Sequence, residues 1–225
     1  MAERLATWVW VGASALALVA GMVNVVGYLG FEHQAITHLT GTTTLLGAAL
    51  AGGDLHAAWQ LAAMLLAFVG GAALSGLLVQ DSVLRLGRRY GVALAIEAVL
   101  LAAAVPLFTQ GSFAGPVLAA VAIGLQNAMA TTYSGAIIRT SHVSGMFTDL
   151  GITLGHALRG LPVARRRLWL CLVIITSFLA GGILGALAFA SFEYRALYFP
   201  AVVTGVTGLS YAVWKHRNLD VDLRG

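Results

Sequence analysis

The sequence contains one pattern twice, which restricts the fold to two related halves. Residues 38–41 (HLTG) recur as residues 142–145 (HVSG), at an offset of 104 residues. Further pairs flank this segment at offsets of 103 and 110 residues: Gly21 with Gly124, Asn24 with Asn127, Phe68 with Phe178, and Gly71 with Gly181. A repeat within one apolar chain is typical of transporters and channels, in which the solute path often runs between the two copies.

The composition is that of a membrane protein. The chain is 59% hydrophobic and only 10% charged, with a mean hydropathy of +0.87, whereas about a quarter of the residues of a soluble domain are charged. Residues 1–225 are therefore predicted to form a single integral membrane domain, with the lipid bilayer as its partner. The net charge of +4 is assigned to cytosolic loops rather than to nucleic-acid binding.

The cysteine count limits the covalent and metal chemistry of the chain. Cys171 is the single cysteine and lies within an apolar run. It excludes an intrachain disulfide bond and a cysteine-rich metal cluster. We expect no cofactor and no metal site.

Six long apolar runs predict six membrane-spanning helices. Two shorter runs, 40–52 and 144–158, are poor candidates, because thirteen helical residues reach about 20 Å and the hydrocarbon core is about 30 Å thick. We interpret the shorter runs as short tilted helices or re-entrant half-helices. The first long run contains Gly21 and Asn24, which have partners in the second copy, so no cleaved signal peptide is expected. The six long runs lie near residues 7–30, 57–79, 90–109, 113–138, 168–190 and 196–214.

The positions of Lys and Arg distinguish two topologies. If all eight segments cross the membrane from a cytosolic N-terminus, 8 of the 13 basic residues lie inside. If the two short segments enter and leave on the same side, 12 of the 13 lie inside and only Arg195 lies outside. The positive-inside rule favours the second arrangement, with both termini in the cytosol.

Three crossings per copy invert the second copy relative to the first. The sequence therefore predicts an all-α polytopic membrane protein of two inverted-topology repeats, with six spanning helices and two short or re-entrant helices. The repeats cover about residues 7–109 and 113–214. An oligomer is compatible with this fold.

Two signatures stand at matched places in the two copies. The first comprises residues 21–28, Thr40-Gly41 and residues 46–47, and the second comprises residues 124–128, Arg139-Thr140 and residues 144–151. Together they resemble the YoaK-type family of bacterial membrane proteins of unknown function, over nearly the whole chain. The resemblance implies a location in the plasma (inner) membrane of a bacterium, and it implies no substrate.

The chain departs from this family at two polar positions. The family usually has an aspartate where Asn24 stands, and an asparagine where Thr42 stands. Any role that depends on those two groups in the family does not carry over to this chain.

Amide side chains within the apolar runs are the first candidates for a solute path. Asn24, Gln126 and Asn127 lie in predicted spans, where polar groups must find partners. They join helices, at roughly 1 kcal/mol each, or line a polar path, and one role does not exclude the other. Their matched placement favours a shared site at the repeat interface.

The starts of the two short segments are the second candidates. Thr40, Gly41 and Thr42 open the first segment, and Ser144 and Gly145 open the second. Ser and Thr are favourable N-caps, and a helix N-terminus at membrane depth offers free N–H groups and partial positive charge. This suits an anion or a polar neutral solute. Alternatively, the hydroxyls bond back to their own helix and the glycines permit close packing.

Ionisable residues in the second short segment form a third group. His142, Asp149 and His156 are seven residues apart and share one helix face. Neighbours lie about 10 Å apart along the axis, too far for one metal ion but suitable for a polar stripe or a proton relay. A membrane carboxylate is a functional candidate, and the alternative for Asp149 is a pair with Arg139 or Arg159.

Two further features are interpreted as structural. Glu97 lies about two turns into its span, and snorkelling or an ion pair with a basic residue accounts for it. The small residues Gly71 and Ser75, with Gly181 and Gly185 at the equivalent places, let helix backbones approach closely. They are predicted to hold the two copies together.

These patterns favour a transporter or channel for a small polar or anionic solute through the repeat interface. The alternative is a non-transporting membrane scaffold or sensor subunit. An intramembrane enzyme is disfavoured, because the sequence contains neither His-Glu-x-x-His nor Gly-x-Ser-x-Gly, and we expect no enzymatic activity.

Overall fold

All the secondary-structure elements of the described residues are helices. A computed structural model describes residues 7–31, 36–79, 88–133, 140–163 and 165–222. Within them lie eight α-helices and one short 3-10 helix: α1 (Thr7–Gly30), α2 (Leu39–Gly52), α3 (Leu55–Leu78), α4 (Arg88–Thr109), α5 (Ala114–Tyr133), α6 (Val143–Leu158), α7 (Arg165–Phe192), η1 (Glu193–Leu197) and α8 (Tyr198–Asp222).

Each predicted apolar run corresponds to one of these helices. The two short runs are α2 and α6, and the six long runs are the six longer helices. The predicted end of the run at 113–138 lies outside the described residues. The helix α8 continues past the predicted end at residue 214 into the polar C-terminal segment.

Within the part of the chain that the structure describes, five stretches are long and apolar enough to cross a membrane. The fifth has 47 residues, Arg165–Tyr211, and contains α7, η1 and most of α8. Large apolar side chains point outward from the long helices; Leu77, for example, is 81% exposed and Leu66 is 70% exposed. The chain is therefore a helical, multi-pass membrane protein.

The helices α1 and α7 run parallel to each other. The hydroxyl groups of Ser14 and Ser177 lie 2.7 Å apart, and further along both helices Gly185 lies against the backbone of Met22. By contrast, α4 and α8 run antiparallel. Gly205 of α8 faces Ala98 of α4, whereas Gly208, one turn later in α8, lies against Leu94, one turn earlier in α4.

Two apolar core clusters give the directions of the remaining helices. The first cluster combines the C-terminal halves of α1 and α4 with the N-terminal halves of α3 and α5: Val23, Val26, Leu101, Val105, Met64, Phe68, Ala119 and Ile123 with their neighbours. The second combines the opposite halves and the start of α7: Ala13, Ala17, Tyr90, Leu94, Val79, Leu125, Met129, Leu170 and Ile174 with their neighbours. Thus α1, α4 and α7 point one way, and α3, α5 and α8 point the other way.

The short helices lie at the periphery of this bundle. Among the described elements, α2 packs on α3 and α6 packs on α7, and neither makes a substantial contact with another helix. The backbone before α2 returns to the depth of Asn24, because Thr37 is hydrogen-bonded to the Asn24 side chain. That depth is about 9 Å before the end of α1. The rings of Phe31, just after α1, and Trp59, in the first turns of α3, both lie against Phe113, so α2 runs back toward the end of the bundle at which α1 ends.

Glycines bring α1 into backbone contact with α7, and α3 into backbone contact with α5. A Cβ atom at Gly181 would overlap the carbonyl oxygen of Leu18, and one at Gly71 would overlap the carbonyl oxygen of Val121. These two contacts correspond under the offsets of the repeat, and so do two more: Gly21 against Phe178, and Gly124 against Phe68. The prediction that Gly71 and Gly181 let helix backbones approach closely is confirmed.

Candidate functional site

The short helices α2 and α6 begin in the same unusual way. Their N-cap residues are His38 (φ −99°, ψ 67°) and His142 (φ −93°, ψ 59°), and neither histidine makes a side-chain capping hydrogen bond. The expectation that Ser or Thr caps these helices is wrong. Thr40 and Ser144 are instead the second residues of their helices, two positions after the N-cap.

A histidine ring lies beside the first turn of each short helix. A Cβ atom at Gly41 would collide with the ring of His38, and one at Gly145 would collide with the ring of His142. Glycine is therefore the residue that leaves room for the ring to fold back over the helix start. The sequence analysis assigned no role to His38. The His-x-x-Gly spacing that both short segments share is the signal that could have identified it.

Asn24 anchors the segment that leads into α2. Its Oδ1 atom accepts hydrogen bonds from the backbone N–H of Thr37, at 3.1 Å, and from the Thr37 hydroxyl, at 2.7 Å. Thr42 is buried and its hydroxyl donates to the carbonyl oxygen of His38. Asn24, Thr37, His38, Gly41 and Thr42 thus form one group, which we call the Asn24 cluster.

The hydroxyl groups of α2 bond back to their own helix. Thr42, Thr43 and Thr44 each donate to the carbonyl oxygen four residues earlier. This is the alternative that the sequence left open for these residues. Thr40 and Ser144 are exposed, and Thr40 is not part of the Asn24 cluster.

Polar atoms of the second copy lack the bonds that their counterparts make in the first. The Oδ1 atom of Asn127 and the hydroxyl of Thr140 are buried, and neither has a hydrogen-bond partner among the described residues. Thr140 is only 1% exposed. Buried polar atoms are nearly always paired, so the Asn127 oxygen, which accepts, and the Thr140 hydroxyl, which can donate or accept, have hydrogen-bonding capacity that the described residues do not use. Arg139 lies outside the described residues.

Gln126 joins α5 to α1 inside the bundle. The side chain is fully buried, and its Nε2 group donates to the carbonyl oxygen of Leu16 at 2.7 Å. Its Oε1 atom has no partner among the described residues. The amide therefore links two helices, as expected, and keeps one unused acceptor.

Asp149 is paired with a basic residue. Its two carboxylate oxygens accept from Nη2 and Nε of Arg167, at 2.8 and 3.3 Å. The prediction of an ion pair is thus correct, and among the described residues the partner is Arg167 instead of Arg159; Arg139 is not among them. The reason is the antiparallel packing of α6 on α7: Met146, three residues before Asp149, belongs to the second core cluster with Leu170 and Ile174, which follow Arg167. His142 and His156 are exposed.

Glu97 differs from its interpretation as a snorkelling or ion-paired residue. Its side chain is completely buried, and neither carboxyl oxygen has a hydrogen-bond partner among the described residues. The helix α4 is rotated so that this residue faces the bundle instead of the rim. Within the described part of the chain, no three His, Cys, Asp or Glu side chains are grouped so as to hold a metal ion.

Replacement of Asn24 tests the anchor of α2. Asn24→Leu removes the acceptor of two hydrogen bonds and leaves the Thr37 N–H group buried without a partner, so we expect a loss of about 1–3 kcal/mol in the free energy of unfolding. Asn24→Asp keeps an oxygen acceptor at the same place and should retain most of the stability. Thermal unfolding of both purified variants in detergent measures the difference; equal melting temperatures would contradict the anchoring role.

Comparison with known families identifies the relatives of this chain. The family model described as "Protein of unknown function (DUF1275)" matches residues 12–210. A comparison with curated proteins finds no match, and a comparison with solved structures also finds none. The matched region contains the Asn24 cluster, both short helices and the glycine contacts. The chain belongs to the DUF1275 family, in agreement with its resemblance to YoaK-type membrane proteins.

Proposed function

We propose that this protein is a transporter or channel that moves a small polar or anionic solute between two inverted repeats. The proposal has six crossings, made by α1, α3, α4, α5, α7 and α8, while α2 and α6 enter and leave on one side. It is supported by the alternating directions of the six long helices. Full crossings by α2 and α6 would make α1 and α3 parallel, which conflicts with the composition of the core clusters.

One observation carries the functional proposal: the same construction stands at opposite ends of the bundle. His38 lies over Gly41, and Leu39 beside it packs against the first core cluster, whereas His142 lies over Gly145, and Met146 beside that glycine belongs to the second core cluster. Because the two clusters occupy opposite halves of the bundle, the two helix starts lie in opposite halves. Each start combines a ring N–H or nitrogen with backbone N–H groups and partial positive charge, which suits an anion or a polar group.

Polar side chains between these two ends supply the proposed path. On the first side we assign Asn24, Thr40, Gly41 and Thr42. On the second side we assign a larger set: Gln126, Asn127, His142, Ser144, Gly145 and Asp149. The unused acceptors of Gln126 and Asn127 would bind the donor groups of a solute or of its water shell. In this assignment the Asp149–Arg167 pair holds α6 against α7 beside the second helix start.

The proposed orientation places both termini in the cytosol of the plasma (inner) membrane. In the six-crossing arrangement, 12 basic residues lie on one side of the membrane and one lies on the other. The positive-inside rule assigns the side with 12 to the cytosol. The His142 side then faces the cytosol, and the His38 side faces outward.

Substituting one glycine at each helix start tests the proposal. Gly41→Ala and Gly145→Ala each add a methyl group where the histidine ring lies, so the ring must swing away from the helix start. The bundle should still fold, because alanine favours helix more than glycine does. We expect flux to fall by roughly tenfold, which corresponds to about 1.4 kcal/mol.

The matched controls lie in the same two helices. A Cβ atom at Gly47 in α2, or at Gly151 in α6, meets nothing within 4 Å, so Gly47→Ala and Gly151→Ala should keep wild-type flux. The measurement is stopped-flow light scattering by proteoliposomes, with glycerol, urea, formate, nitrate and chloride as probes. If monodisperse wild-type protein carries none of these probes above empty liposomes, the transport proposal fails in favour of a scaffold or sensor subunit.

A further inference from the structure

A carboxyl group lies in the middle of a membrane-spanning helix and has no partner among the described residues. Glu97 is nine residues from the start of α4 and twelve from its end. Its side chain is 0% exposed, and both of its oxygen atoms lack a hydrogen-bond partner among the described residues. Among the Asp and Glu residues whose side chains the structure describes, no other is buried to this extent; Asp149, for comparison, is partly exposed and paired with Arg167.

Glu97 lies in the layer that separates the two apolar core clusters. On α4, Leu94 belongs to the second cluster and Leu101 to the first, with Glu97 between them on the same face. On α5, Ile123 belongs to the first cluster and Leu125 to the second. The fully buried Gln126 is the next residue along α5, so a carboxyl and an amide occupy the boundary between the clusters.

The neighbouring helix α8 contributes a third polar side chain at this depth. Gly205 of α8 faces Ala98 of α4, which places Thr204 near the level of Glu97. Thr204 is 1% exposed, and its hydroxyl donates to the carbonyl oxygens of Pro200 and Ala201. Its oxygen retains capacity to accept a hydrogen bond.

The elements packed against α4 offer Glu97 no counter-ion at its own depth within the described residues. These elements are α5, α8, η1 and, to a small extent, α3. Residues 114–132 of α5 contain no Asp, Glu, His, Lys or Arg, and η1 lies beside Phe108 at the far end of α4. The titratable groups on these elements and on α4 itself whose side chains are described are Tyr198 and Tyr211 of α8, His56 of α3, Glu193, Tyr194 and Arg195 of η1, and Arg89 and Tyr90 of α4.

This environment determines the form of the carboxyl group. An ionised carboxylate without a counter-ion or hydrogen-bond donor is strongly disfavoured in an apolar interior, whereas the neutral acid is tolerated. Glu97 therefore carries its proton in this conformation. The neutral acid is also a hydrogen-bond donor, and Gln126 Oε1 in the same layer is an acceptor that no described residue uses.

We propose that Glu97 is a proton-binding site in the membrane interior that exchanges its proton with the aqueous phase when the bundle opens. Loading forms one O–H bond on the carboxylate, and release returns the proton to water, without any change of oxidation state. This inference rests on the proposed transport function for its consequence: solute movement would be coupled to protons through Glu97. The binding of the proton itself can be tested without a solute.

Labelling with an apolar carbodiimide tests the proton site directly. N,N′-dicyclohexylcarbodiimide partitions into apolar regions and reacts with protonated carboxyl groups to give a stable N-acylurea. We expect an adduct on Glu97 of the purified full-length protein, mapped by tandem mass spectrometry, whose yield declines at alkaline pH. Glu97→Gln should lose this adduct, and Glu193→Gln, which removes an exposed carboxylate in η1, should keep it.

The possible results separate this inference from the transport proposal. Absence of the Glu97 adduct at every pH, or a yield that is independent of pH, overturns the proton site; this mapping uses the unaltered chain and does not depend on the folding of Glu97→Gln. An adduct on Glu97 in a protein that carries no solute supports the proton site and rejects transport. Solute flux without an adduct on Glu97 rejects the proton site and leaves transport standing.

Discussion

Gly181→Leu should prevent the protein from forming a stable bundle. A Cβ atom at this position would overlap the carbonyl oxygen and carbon of Leu18, and these backbone atoms cannot rotate away as a side chain can. The helices α1 and α7 would have to separate, which would also break the contact between Ser14 and Ser177. Overpacking usually costs about 1–3 kcal/mol, and the forced separation of two helices should exceed that range. Size-exclusion chromatography in detergent should show aggregate in place of a monodisperse peak.

The adjacent glycine provides the control for this substitution. A Cβ atom at Gly182 meets nothing within 4 Å, so Gly182→Leu should give normal yield and a melting temperature close to that of the wild type. Both variants add the same side chain to the same turn of α7 and differ only in direction. A monodisperse Gly181→Leu protein with the melting temperature of Gly182→Leu would contradict the backbone contact between α1 and α7.

The corresponding pair in the first copy extends the test to the repeat. Gly71 lies against the carbonyl oxygen of Val121, whereas a Cβ atom at Gly70 meets nothing within 4 Å. If the two copies are equivalent, Gly71→Leu should be as damaging as Gly181→Leu, and Gly70→Leu should be harmless. A harmless Gly71→Leu would show that the two halves are joined by different contacts.

The helices and their closest contacts could be predicted from the sequence because they depend on local pattern. An apolar run of sufficient length must be helical in a membrane, and for that reason the run at 90–109 is found as α4, Arg88–Thr109. Small residues four apart mark close helix contacts, which holds for Gly71 and Gly181. These features require no knowledge of how the helices are rotated.

The details of the candidate site could not be predicted, because they depend on packing between distant segments. N-cap preferences favour Ser and Thr, but the room beside Gly41 and Gly145 allows a histidine at each start. Glu97 was interpreted from its distance along the helix to basic residues, whereas its burial depends on the rotation of α4 in the bundle. The partner of Asp149 likewise depends on the antiparallel register of α6 against α7.

Introduced cysteines should fall into two sets: those outside the cell should be labelled in intact cells, and those in the cytosol should not be labelled. In the six-crossing arrangement, Leu55→Cys and Gln110→Cys lie outside the cell, and Arg89→Cys and Leu161→Cys lie in the cytosol. Leu55 is 74% exposed and the other three positions are also accessible. Cys171 is buried, and a Cys171→Ala background removes its residual reactivity. A membrane-impermeant maleimide should label the first pair in intact cells and the second pair only after permeabilisation.

The most direct measurement of the inverted-repeat arrangement is the comparison of Leu55→Cys with Arg89→Cys in intact cells. If α2 enters and leaves on one side, position 55 faces outward and position 89 faces the cytosol, so that only Leu55→Cys is labelled. If α2 and α6 cross the membrane fully, both positions change sides. Labelling of Arg89→Cys in intact cells together with protection of Leu55→Cys would therefore contradict the six-crossing, inverted-repeat account.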